Sequence, residues 1–324
     1  MFTATVSPQI SQPVAGTVAF KDAGNPISGC GSIAVSGGTA QCSTAFNAAG
    51  THPITASFTP TDSTNFSMST SSTLNENVNT GLQNCNVTLG PGFVTITGTY
   101  KGNYEVKNGQ SLYLNGGTIT GNVQVNAGGR FVSSGGTVGG NVTSLGGPVK
   151  LGGLAISGNL ITTDAQVGLG DGMNIHGKAT ITGGGPVCIN GPSANHIRIG
   201  GALDVSQLPA SQVLDSICGT YIGGELDVEK NAQPFLIGGT SSCPGNTVTG
   251  SFLVQNNSAK VTIGAVGSGL GNTAQQSITV QKNTGGGSLT NNATGQSCTL
   301  QSNTPGIVGS LNTANGTNTC NRTA

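Results

Sequence analysis

The stretch GTITGNVQVNAGGRFVSSGGTVGGNV, residues 117–142, carries nearly the same pattern twice. TITGNV at 118–123 returns as TVGGNV at 137–142, nineteen residues later. A fixed recurrence of about twenty residues is typical of solenoids, in which each repeat stacks on the one before it. The same spacing is therefore expected in the neighbouring sequence.

The glycine of this pattern serves as a marker for the repeat. Successive markers are separated by 19, 19, 18, 19, 24, 23 and 26 residues, and low-complexity sequence would not keep phase in this way. The markers are Gly102, Gly121, Gly140, Gly158, Gly177, Gly201, Gly224 and Gly250. We expect each marker to occupy a bend at which a side chain would crowd the adjacent turn.

Apolar residues recur two before and two after each marker, for example Ile119 and Val123, then Val138 and Val142. Alternation at period 2 predicts strands with one buried face. Stacking of these strands at about 4.8 Å predicts a parallel β-helix over residues 80–324, with about eight turns and a length of about 40 Å. One more turn is expected at Ile278 and Val280, and a last one at residues 306–313.

Residues 1–79 lack helical periodicity and contain short β-type runs separated by turn residues, which predicts a β-sandwich. The runs at 16–27, 50–66 and 69–74 resemble the bacterial Ig-like repeats of large exported surface proteins. The resemblance rests on Gly50 to Ala56 (GTHPITA), Asp62 and Phe66. It implies a spacer or stalk, and it also implies one further strand before FTATV at residues 2–6. We therefore expect an incomplete Ig-like sandwich in a chain that is part of a longer exported protein.

The eight cysteines include no CxxC pair, and the even number predicts disulfides formed outside the cytoplasm. Cys30 and Cys42 flank a short run and are expected to pair, and Cys298 and Cys320 are expected to pin the C-terminal tail. Cys218 can pair with Cys243 or with Cys188, and Cys85 has no assigned partner. From residue 80 the chain resembles disulfide-bearing β-helix proteins with GNV repeats predicted in exported bacterial proteins, a resemblance that brings no catalytic residues.

Charge is concentrated on three consecutive turns. Residues 171–230 hold nine of the 22 charged residues, and outward positions there form a candidate ligand patch. Asp204 and Asp227 are expected one strand apart, about 4.8 Å, where they could share a proton or bind Ca²⁺. The separation is also close to that of a retaining glycosidase pair. The patch consists of His176, Lys178, Arg198, Asp204, Tyr221, Glu225 and Asp227.

Three interpretations of this patch remain open: charges that neutralise one another on a solvated face, a glycan- or cation-binding surface, and catalysis. We expect the first, with no catalytic residues, no resident metal and no other cofactor.

The composition limits the classes of partner that the chain can be expected to bind. Charged residues make up 7% of the chain and the net charge is zero, so neither nucleic acid nor membrane insertion is expected. The predicted protein is all-β, non-enzymatic and secreted or displayed at the cell surface, with an Ig-like spacer presenting an adhesin-like β-helix. A glycan, another surface protein or a second copy of the chain are the candidate partners. The alternative is a carbohydrate-binding or carbohydrate-active β-helix that uses the patch.

Overall fold

The computed structural model describes residues 2–8, 14–44, 50–78, 85–194 and 196–324. The chain divides into two compact units, Met1–Gly81 and Leu82–Ala324. All regular structure in the described residues is β-strand, so none of their segments is a helix that could cross a membrane. The all-β fold class is confirmed.

The N-terminal unit is built from antiparallel strands. Strand β1 pairs with β5, while β2 and β6 form the centre of a second sheet that β3, β4, β7 and β8 extend. The strands are β1 (Phe2–Thr5), β2 (Gly16–Asp22), β3 (Asn25–Pro26), β4 (Ile33–Ala34), β5 (Thr39–Cys42), β6 (Gly50–Pro60), β7 (Ser69–Thr70) and β8 (Leu74–Val78).

Alternating residues of β2 and β6 form the core of this unit. Val18, Phe20, Ile54 and Phe58 are buried, as the period-2 pattern requires. Asp62 closes the turn after β6, because its carboxylate accepts hydrogen bonds from the backbone N–H groups of Thr64 (3.0 Å) and Asn65 (3.2 Å) and from the Asn65 amide (2.7 Å). These bonds, with that from the Asn65 side chain the largest, lower the pKa of Asp62.

The second unit is a parallel β-solenoid of about 11 turns. Its strands are β9 (Val94–Ile96), β10 (Thr99–Tyr100), β11 (Tyr104–Val106), β12 (Ser111–Ile119), β13 (Val123–Asn126), β14 (Arg130–Val138), β15 (Val142–Leu145), β16 (Val149–Leu151), β17 (Leu154–Ile156), β18 (Leu160–Thr163), β19 (Val167–Leu169), β20 (Asn174–Ile175), β21 (Ala179–Thr182), β22 (Val187–Asn190), β23 (Ile197–Ile199), β24 (Leu203–Ser206), β25 (Asp215–Cys218), β26 (Thr220–Ile222), β27 (Leu226–Glu229), β28 (Phe235–Ile237), β29 (Thr247–Val248), β30 (Phe252–Gln255), β31 (Val261–Ile263), β32 (Thr273–Ala274), β33 (Ile278–Gln281), β34 (Gly287–Thr290), β35 (Ala293–Thr294), β36 (Cys298–Gln301), β37 (Ile307–Ser310) and β38 (Thr313–Ala314).

A regular turn contributes three strands in sequence. Side 1 follows the marker glycine and is the ten-stranded sheet from β11 to β36; side 2 comes next, as in β16 and β19; side 3, as in β17 and β20, leads to the next marker. The strands β12 and β14 run through both side 2 and side 3. Stacking is in register: Val123 lies beside Val142 on side 1, and Ile119 beside Val138 on side 3, as the repeat predicted. These side chains are fully buried in one continuous core.

The marker glycines form a bend that excludes a side chain. The N–H of each donates to the carbonyl of the preceding marker, as from Gly121 to Gly102 (2.9 Å) and from Gly140 to Gly121 (3.0 Å). A Cβ atom on Gly121 would lie 2.4 Å from Asn103 Oδ1 and 2.7 Å from the Gly102 carbonyl carbon. The crowding expected of the marker position is therefore present, and it comes from the preceding turn.

The additional turns predicted at Ile278 and Val280 and at residues 306–313 are present, with strands β33 and β37, although the marker changes in these last turns. Gln276 and Gln296 stand where earlier turns have glycine, and the Gln296 N–H donates to the Gln276 carbonyl (3.3 Å). Cys298 was predicted to lie in a tail, but strand β36 pairs with β33 inside side 1. The backbone of residues 322–324 then pairs with that of 307–309 over the edge of the last turn.

Asparagine ladders satisfy the polar groups at the bends. Asn122 and Asn141 each accept the backbone N–H of the next member of a ladder. Two further ladders are buried: Asn231, Asn257, Asn283 and Asn303, and Asn246, Asn272, Asn292 and Asn312. Because an unpaired buried amide costs about 1–3 kcal/mol, these ladders hold the turns in register.

The structure contains four disulfides. They are Cys30–Cys42, Cys85–Cys188, Cys218–Cys243 and Cys298–Cys320. Cys85, left without a partner by the sequence, joins Cys188 across 103 residues, so the alternative pairing of Cys188 with Cys218 is wrong.

Candidate functional site

The seven patch residues do not share one side of the solenoid. Arg198 and Tyr221 belong to β23 and β26 on side 3, whereas Asp204 and Asp227 belong to β24 and β27 on side 1. The marker bends at Gly201 and Gly224 separate the two pairs. The patch is therefore two adjoining surfaces rather than one.

The side 3 surface is a stacked cation and ring. Arg198 and Tyr221 are register partners on neighbouring strands, and the guanidinium carbon lies 4.4 Å from the centre of the phenol ring. Such cation–π contacts contribute about 0.5–1 kcal/mol at exposed sites. The contact occupies one face of the Tyr221 ring and fixes the position of Arg198, which remains exposed.

The side 1 surface is a pair of carboxylates in register. Asp204 lies beside Asp227 on the adjacent strand, as predicted, which places their backbones about 4.8 Å apart. Burial raises the pKa of the Asp227 carboxyl to about 6, helped by repulsion from Glu229, Glu225 and Asp204 and opposed by Lys230. Asp227 Oδ1 is enclosed and has no hydrogen-bond partner among the described residues. The Asp227 carboxyl therefore keeps its proton to a higher pH than an exposed aspartate does.

Glu229, two residues further along the same strand, is already engaged. Its Oε1 accepts from Lys230 Nζ (2.7 Å) and its Oε2 from the Gln255 amide (3.2 Å). Gln255 in turn accepts from Gln281, and Gln281 from Gln301, which makes an outward glutamine ladder. This part of the acidic surface has a structural role.

His176 and Lys178 flank the marker bend at Gly177 and are both exposed. His176 Nδ1 lies 3.1 Å from the Ile156 carbonyl oxygen, and since a carbonyl only accepts, Nδ1 carries the proton. The Lys178 backbone N–H ends the ladder that begins at Asn103, by donating to Asn159 Oδ1 (2.9 Å). Within the described part of the chain, none of the salt bridges joins His176, Lys178 or Arg198 to the carboxylates.

The structure adds no further metal ligand to Asp204 and Asp227 among the described residues. No group of three or more His, Cys, Asp or Glu side chains in the described ranges is arranged to hold an ion. A Ca²⁺ ion at Asp204 and Asp227 would need its remaining oxygen ligands from elsewhere, because Ca²⁺ takes six to eight.

Two features near this region were missed by the sequence analysis. Asp215 is fully buried in β25, where Oδ1 accepts the Val187 N–H (2.7 Å) and Oδ2 has no partner among the described residues. Burial raises the pKa of Asp215 to about 7, although the bond from Val187 opposes the change. Asp171 Oδ1 and His196 Nδ1 lie 2.5 Å apart at the exposed surface. Asp215 follows an insertion that breaks the repeat. The spacing from the marker glycine therefore could not predict that its side chain points inward.

A comparison with family models covers the N-terminal unit. Residues 1–79 match the bacterial Ig-like domain (group 3). The predicted resemblance of this segment is thereby confirmed. A comparison of the chain with curated proteins finds no significant match, and neither does a comparison with solved structures. An Ig-like domain followed by a β-solenoid fits a structural protein of the bacterial surface.

Proposed function

We propose that the chain is a structural segment of a secreted or surface-displayed bacterial protein, in which the Ig-like domain is a spacer and the solenoid a rigid presenting rod. The observation that carries the proposal is the combination, in one chain, of a bacterial Ig-like domain with a disulfide-bonded solenoid. Disulfides persist in oxidising compartments outside the cytoplasm. The stacked apolar core makes the solenoid stiff, because each turn is fixed by its neighbours.

Surface display can be tested on intact cells of the bacterium that produces the protein. Antibodies raised against the solenoid unit should label these cells before permeabilisation, and external protease should remove the signal. A cytoplasmic protein, labelled only after permeabilisation, is the control. Labelling of the solenoid only after permeabilisation would contradict the proposal.

A second candidate function is recognition or cleavage of a glycan at the patch. It is favoured by the raised pKa of Asp227, by the carboxylate of Asp204 one strand away and by the aromatic ring of Tyr221 on the adjoining side 3 surface. A retaining glycosidase places its two carboxyl groups about 5 Å apart and needs one of them protonated.

A glycan array and a reducing-sugar assay on the purified chain test this second candidate. Binding or sugar release should disappear in Asp204→Asn and Asp227→Asn. Glu105→Gln is the matched control. Glu105 lies in the same outward column of side 1 as Asp204 and Asp227, five turns before Asp204. Absence of binding and release in the wild-type chain would reject the glycan function.

A further inference from the structure

The segment that precedes the first turn runs back along the solenoid. Residues 85–90, which we call the strap, contact five successive turns in reverse order of the chain. With β9, β10 and β11 counted as the first turn, the contacts from the second turn to the sixth are Gly90 N–H to Ser111 Oγ (2.9 Å), Arg130 to the Thr88 carbonyl (3.1 Å), Lys150 Nζ to Asn86 Oδ1, the Gln166 amide to the Asn86 carbonyl (3.2 Å), and the disulfide Cys85–Cys188.

The register of side 2 shows that these contacts lie in consecutive turns. Tyr113, Val132, Lys150, Gly168 and Cys188 are successive partners along one outward column of parallel strands. The strap therefore crosses the strands, and its far end is bonded covalently to the sixth turn.

This connection determines where a pulling force enters the solenoid. Tension transmitted along the chain from the Ig-like unit reaches Cys85 first and passes through the sulfur–sulfur bond to Cys188. We propose that the Cys85–Cys188 disulfide is a mechanical bypass that keeps residues 86–187 free of tension when the chain is pulled from its two ends. This inference goes beyond the proposed display function and does not depend on where the protein is displayed.

The two possible points of entry differ in how the backbone bonds would break. In the described residues, β9, β10 and β11 of the first turn pair only with strands of the second turn. Force applied at that open edge would peel one hydrogen bond at a time. Cys188 instead lies inside β22, which is paired with β19 on one side and β25 on the other. Force entering there acts on a strand that is bonded along both edges.

The asparagine ladders divide at a similar place. The bypassed turns contain the partly exposed ladder from Asn103 to Asn159. The two buried ladders begin downstream of Cys188, at Asn231 and Asn246, and continue to the last turns. Tension therefore passes through the turns whose bends are held by the buried asparagine ladders. The turns that lack a buried ladder are bypassed.

Single-molecule force spectroscopy on the full chain, with handles at residues 1 and 324, tests the bypass. Cys85 and Cys188 are 103 positions apart in the sequence, and a segment of that length extends to about 360 Å when unfolded. The oxidised wild type should extend by about 350 Å less than the Cys85→Ser/Cys188→Ser variant. The matched control is Cys218→Ser/Cys243→Ser, whose two positions are 25 apart in the sequence and which should add only about 80 Å.

A second measurement covers the case in which the serine variant fails to fold. The wild type is unfolded under constant force, and a dithiol is then added, which supplies the two electrons that convert the S–S bond into two thiols. One step of about 350 Å is expected, besides the much shorter steps from the three other disulfides. Release of the full chain length before the dithiol is added, or no such step afterwards, would overturn the proposal. Surface labelling of cells can fail without altering this result.

Discussion

The buried carboxyl of Asp215 makes the stability of the solenoid depend on pH. The side chain is fully buried, its Oδ1 accepts the Val187 N–H at 2.7 Å, and its Oδ2 is enclosed without a partner among the described residues. Replacement by asparagine keeps the shape and the acceptor for Val187 but removes the titration. Asp215→Asn therefore isolates the free energy of ionising this one group.

The size and sign of the effect follow from the pKa. Burial raises the pKa of Asp215 from 3.8 to about 7 in the folded state. Between these values the folded chain holds a proton that the unfolded chain has lost, so stability falls as the pH rises from about 4 to about 7. A difference of about 3 between the two pKa values corresponds to about 4 kcal/mol. The loss is absent below pH 4 and complete above pH 7.

Denaturant unfolding, followed by circular dichroism at several pH values from 4 to 8, measures the effect. Asp215→Asn should match the wild type near pH 4 and exceed it by up to about 4 kcal/mol at pH 8. Asp164→Asn, at an exposed bend with φ +52°, is the control and should follow the wild type throughout. Equal pH dependence of Asp215→Asn and wild type would refute the assignment of a neutral buried carboxyl.

Two further predictions concern the bends. Asn257→Ala leaves the buried Asn231 N–H without its acceptor and should lower the free energy of unfolding by about 1–3 kcal/mol. The control is Asn256→Gly at the exposed neighbour, where φ is +56°, and it should change the free energy of unfolding little. Gly121→Ala places a Cβ 2.4 Å from a ladder side chain and should cost about 1–3 kcal/mol, whereas Gly98→Ala meets no atom within 4 Å. Thermal and denaturant unfolding measure both effects, and equal costs within either pair would contradict the reasoning.

The inward columns could be predicted from the sequence because side-chain alternation is local and the turn length is nearly constant. Ile119 and Val138 needed only the period of 19 to be placed side by side. Cys85 could not be paired, because it precedes the first repeat and no column gives it a register. The last turns had to be predicted from their apolar residues, such as Ile278 and Val280, because glutamine replaces the marker glycine at Gln276 and Gln296.

For the candidate patch, the sequence predicted which residues lie on adjacent strands but not which side of the solenoid they occupy. Asp204 and Asp227 were placed on adjacent strands, which needs only the marker spacing. The bend between side 3 and side 1, which separates these carboxylates from Arg198, required the direction of each strand in space. The glutamine ladder that engages Glu229 likewise depends on side-chain contacts across turns and not on spacing.

Each outward column of a solenoid is a one-dimensional series in which a polar side chain can be satisfied by the turn above or below. The Asn and Gln ladders use this arrangement, and Glu229 is accommodated at the start of one of them. A different case is the column of Thr180, Asp204, Asp227 and Leu253, whose side chains form no such ladder. In it, Thr180 Oγ1 and Asp227 Oδ1 are enclosed without partners among the described residues. A repeat that satisfies its own polar groups needs no other partner, and in this interrupted column two polar atoms remain that the neighbouring turns do not satisfy.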